Sequence, residues 1–116
     1  MNEKSMIFID YLDERKQVVL DEIASLQADG RIDESNILKA KSNIYDVIKS
    51  IFGALSKASD NPSFKDVFNT SFAKITTPWK ESLEKAKKFD DSRKTMIEEA
   101  KLSAASEIID KFNELF

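Results

Sequence analysis

The chain has 116 residues, 41% hydrophobic and 34% charged, with a formal net charge of −3; this is the size of one domain with one core, and the charge gives no bias toward a polyanionic partner. It contains neither cysteine nor histidine, which excludes disulfides, thiolate chemistry, the commonest zinc ligand and the commonest general base. Two glycines and two prolines are too few turn residues for an all-β fold of this length, so long helices are expected.

The first segment, about residues 3–28, places Ile9, Leu12, Lys16, Val19, Ile23 and Leu26 at steps of three and four. That spacing predicts a helix with one apolar face. Lys16 is the charged member of the seam, expected to lay its stem along the core and keep its ammonium in water. The only early apolar run, Met6 to Ile9, is cut short by Asp10, so no signal peptide is read there. No span approaches the ~20 apolar residues that cross a bilayer. A cytoplasmic chain without membrane insertion is the expectation.

The stretch LQADGRIDES, Leu26 to Ser35, resembles part of a calcium loop. With Gly30 at the glycine position, Asp29 and Ile32 fit, but the strongest ligand positions hold Ser25, Gln27 and Asn36. Tight calcium binding at Asp29–Asp33 is therefore not expected. A helix corner accounts for the same residues: Gly30 closes one helix in the left-handed conformation, Asp33 caps the next, and Ile32 staples onto Ile37 or Leu38.

The second helix, about 34–57, carries Ile37, Lys41, Ile44, Ile48, Ile51 and Leu55 at helical spacing. Pro62, with Asp60 or Asn61 ahead of it, predicts a short third helix over about 62–75. Its apolar face holds Phe64, Phe68 and Phe72. Thr77 and Pro78 read as the start of a last helix, about 78–115, with Trp79 in its first turn. Around Asp90 and Asp91 its stripe thins, so the helix is expected either to kink or to restart there. Unbroken, it would reach about 57 Å at 1.5 Å per residue and overhang the rest.

These elements predict an all-α fold: a four-helix antiparallel bundle in one domain, 1–116, with a long C-terminal helix. No internal repeat is evident. An overhanging apolar stripe needs cover, which makes Phe112, Leu115 and Phe116 the candidate interface and a homodimer or another protein the expected partner. The alternative is an apolar small ligand held between helices three and four by Phe64, Phe68, Phe72 and Trp79.

Other chemistry is sparse. Adjacent carboxylates such as Asp90 and Asp91, or Glu98 and Glu99, diverge by about 100° on a helix and cannot converge on one atom. No catalytic residue, metal or cofactor is expected. The cluster Lys85, Lys87, Lys88, Arg93 and Lys94 around Phe89 is diluted by Glu84, Asp90 and Asp91, which argues against nucleic-acid binding. A non-enzymatic protein acting through protein contact or self-association is the reading.

Overall fold

The computed structural model describes residues 2–58 and 61–116. Its helices are α1 (Glu3–Ala28), α2 (Ile32–Leu55), α3 (Phe64–Lys88) and α4 (Ser92–Leu115), with a single 3-10 turn at Ser56–Ala58. No strand occurs among the described residues. The fold is a four-helix bundle.

Each hairpin turns on the same backbone device. After α1, Gly30 takes φ 74°, its N–H donates to the Gln27 carbonyl at 3.1 Å, and the Arg31 N–H reaches the Leu26 carbonyl at 2.8 Å. This pair of bonds satisfies carbonyls that the helix end would otherwise leave open. After α3, Asp90 takes φ 55°; its N–H donates to Lys87, and the Asp91 N–H reaches the Ala86 carbonyl at 2.9 Å. Asp91 then caps α4 by accepting from the Lys94 N–H at 3.0 Å.

Three local expectations are corrected. Helix α2 begins at Ile32, so Asp33 lies inside the first turn, where its charge suits the positive helix end. Ile32 remains 51% exposed and does not serve as a staple. Helix α3 begins at Phe64 and continues through Pro78 to Lys88, so the break expected at Thr77–Pro78 does not exist. Pro78 and Thr77 are exposed, and the carbonyl of Lys74, which loses its donor to the proline ring, faces the solvent side. The hydroxyl of Thr77 donates to the Ala73 carbonyl at 2.7 Å. Asp60 lies outside the described residues, while Asn61 Oδ1 accepts from the backbone N–H of Ser63 at 2.9 Å just before α3.

With α3 extended and the chain folding back at Asp90, no helix overhangs. The expected long C-terminal helix is divided at Asp90: its first part continues α3, 25 residues in all, and the rest is α4, 24 residues. The two hairpins then correspond residue for residue: α2 and α4 span Ile32 to Leu55 and Ser92 to Leu115, an offset of 60 at both ends, and Gly30 matches Asp90. Seven aligned pairs within 3–55 and 63–115 are identical: Phe8/Phe68, Ile37/Ile97, Ala40/Ala100, Lys41/Lys101, Ile48/Ile108, Phe52/Phe112 and Leu55/Leu115. The correspondence is one of helix length and turn geometry, with little sequence identity behind it.

Packing obeys the same symmetry. Phe8 meets Phe52 with ring centroids 4.8 Å apart and Phe68 meets Phe112 at 4.0 Å. The cross pairs Phe8–Phe112 and Phe52–Phe68 lie at 5.6 and 5.9 Å. An approximate two-fold axis relates the hairpins, with α2 and α4 parallel beside it and α1 and α3 on the outside. The bundle is correspondingly flattened, 46 × 33 × 20 Å. Its aromatic core fills the end where α1 and α3 begin; aromatic edge and stacked contacts there add to the apolar area removed from water.

Candidate functional site

The two outer helices reach across the axis unequally along their length. Near the aromatic end, α1 is tied to α4: Tyr11 donates its hydroxyl proton to Glu107 Oε1 at 3.0 Å, and Arg15 Nε donates to the same oxygen at 2.5 Å. Burial and that hydrogen bond raise the Tyr11 phenol pKa well above its ordinary value. Going down α4 from Glu107, the same helical row carries Ser103, Ala100 and Met96. Ser103 and Ala100 are short, and here α1 and α4 flank a recess over α2, on which α4 packs directly.

The space between them is a groove of about 720 Å³. Its apolar lining is Val18 and Leu26 from α1, Ile37 and Leu38 from α2, and Met96 from α4. Val18 and Met96 are 42% and 51% exposed, so this apolar surface is open to solvent. The rim holds Asp21, Glu22, Asp29 and Glu34 against one cation, Arg31. Arg31 is taken up by Glu34 in an ion pair. Among the described residues, Asp21, Glu22 and Asp29 form no ion pair, although Asp21 accepts from the Gln17 amide at 2.9 Å. The groove is apolar within and negative around its edge.

The corner Leu26–Ser35 thus forms one end of this groove. Its carboxylates do not gather: no group of three potential ligands comes together among the described residues. Lys16 spans the hairpin to Asp46, with Nζ 2.9 and 2.8 Å from its two oxygens.

The residues expected to form an interface lie elsewhere. Phe112 is fully buried in the core, and Leu115 and Phe116 are half-buried against it. The reason is the fold-back at Asp90, which returns the C-terminus to the aromatic end. The expected ligand face is likewise occupied by the chain itself. Phe64, Phe68 and Phe72 are buried, and the Phe68 ring stacks on Phe112. Trp79 is half-buried, with Lys101 Nζ 4.9 Å above its ring.

Sequence patterning missed the groove because Leu26, Ile37 and Leu38 satisfy the core stripe of their helices. The available signal was Val18 and Met96, apolar residues that fall outside those stripes. Phe89 is a further apolar residue off the stripe, 67% exposed at the α3–α4 corner.

No protein-family model matches this chain, and neither the curated proteins nor the solved structures contain a significant match to it. Among the described residues, no helix is long and apolar enough to cross a membrane.

Proposed function

We propose that this chain is a non-enzymatic interaction protein of the cytoplasm whose working surface is the groove between the α1–α2 hairpin and α4. The observation that supports this reading is an open apolar lining edged by four carboxylates, of which only Glu34 is ion-paired, against one cation. Burying Val18, Leu26 and Met96 would release apolar surface from water at ~25 cal/mol per Å², and the charged edge would select what enters. The absence of histidine and cysteine from the composition is consistent with binding rather than reaction chemistry. An apolar small molecule is the second reading, now placed in this groove because Phe64, Phe68 and Phe72 pack against the chain's own rings.

The uncharged probe N-phenyl-1-naphthylamine tests the groove directly at dilute protein. Its fluorescence should rise with the native chain and fall back severalfold in a Val18→Gln, Met96→Gln variant of unchanged helicity. Equal fluorescence from both proteins would place the apolar site elsewhere.

A further inference from the structure

We infer that the occupant of the groove is the α3–α4 corner of a second copy of this chain, with Phe89 as the inserted side chain. This rests on the groove reading above and names its partner.

Phe89 is the C-cap of α3 and is 67% exposed, so it does not fill the groove of its own chain. An aromatic ring presented at a corner is costly to leave in water and well suited to anchor an interface. Around it stand Lys85, Lys87 and Lys88 in the last turn of α3, then Arg93 and Lys94 at the start of α4. Against these five cations the corner holds Glu84, Asp90 and Asp91, a net excess of two positive charges, and Asp91 is already engaged as the cap of α4. Lys88 Nζ lies 5.8 Å from the Phe89 ring centre. The corner is an apolar knob with a positive surround, and the groove is an apolar recess with a negative edge.

Topology puts the two features where one symmetry operation can join them. Both hairpin corners are at the same end of the bundle, on opposite sides of its approximate two-fold. A true two-fold perpendicular to the helices sets each Phe89 against the other copy's groove. Both contacts form together, giving a closed dimer instead of a growing chain. The opposed charges fix the orientation and make pairing weaken with salt.

Sedimentation equilibrium on the full chain, from micromolar to millimolar, tests this with exposed substitutions that leave the core alone. The native chain should form a reversible dimer that weakens at high salt. Phe89→Ser should raise the dissociation constant at least about tenfold. Asp21→Lys with Glu22→Lys in one variant, and Lys87→Glu with Lys88→Glu in another, should each give a monomer. An equimolar mixture of those two variants should restore the dimer, since both contacts become attractive again. A native monomer at millimolar concentration, a dimer indifferent to Phe89→Ser, or a mixture that stays monomeric overturns the assignment. Probe fluorescence separates the two levels: uptake that depends on Val18 and Met96 in a monomeric native chain rejects only the self-pairing, whereas no uptake by the native chain or the Phe89→Ser variant rejects the groove as well.

Discussion

Glu98 is 6% exposed, and its Oε2 has no hydrogen-bond partner among the described residues, while Oε1 lies 3.3 Å from Lys101 Nζ. A buried carboxylate satisfied on one side only is held against a desolvation penalty that its partner does not fully offset. The position it matches in the first hairpin is Leu38. Replacing both partners, Glu98→Leu with Lys101→Met, should therefore stabilise the fold by about 1 kcal/mol, read as a higher urea midpoint with unchanged slope; a lower midpoint would mean that the pair organises its surroundings. At the corners, Gly30 adopts its left-handed angle freely, whereas Asp90 does so at a cost. Asp90→Gly should stabilise by about 0.5 kcal/mol, and Gly30→Ala should destabilise by about 1 kcal/mol. Equal and opposite readings in thermal melts would refute that account of the turns.

At the scale of elements, α3 carries an internal proline on its exposed side. A proline there removes one helical hydrogen bond and crowds the preceding turn, so Pro78→Ala should raise stability by about 1 to 3 kcal/mol, measured by urea denaturation. A loss would mean that the proline is needed to seat Phe72 and Trp79 together. The same proline explains why the sequence misleads about α3 and α4. Thr77–Pro78 carries the chemistry of a helix start, but packing on both flanks, Phe72 and Thr76 before it and Ala86 after it, carries the helix through. The true corner is marked by Asp90, a residue that tolerates the left-handed region without announcing it as glycine does. By contrast, α1 was legible throughout, because the apolar row from Ile9 to Leu26 and Gly30 at its end agree.

For the whole molecule, the alkaline limit of stability should be set in part by Tyr11, which bonds across to α4, and by the buried Tyr45. Burial first, and Glu107 next, raise the pKa of Tyr11 and Tyr45 above the ordinary value of 10.0. The unfolded chain then loses tyrosine protons before the folded one, so their contribution is complete below about pH 10 and is lost as pH rises beyond it. The melting temperature should fall above that pH, and it should fall less steeply in a Tyr11→Phe, Tyr45→Phe variant; parallel curves would assign the loss to other groups. The all-helical class was readable from periodicity and from the lack of glycine and proline. The match between the two hairpins was not, because it lies in helix length and turn geometry and has few identities behind it. The groove was not readable either: it arises from how α1 and α4 flank α2, a property of packing and not of any single helix.

Pairing of that groove with the Phe89 corner of a second copy is the centre of the account, and concentration-dependent amide and methyl NMR shifts of the native chain test it most directly. On dilution, resonances of Val18, Leu26, Leu38 and Met96 should move together with those of residues 85–94, while Phe112 to Phe116 stay fixed. Shifts independent of concentration, or movement confined to Phe112, Leu115 and Phe116, would contradict it.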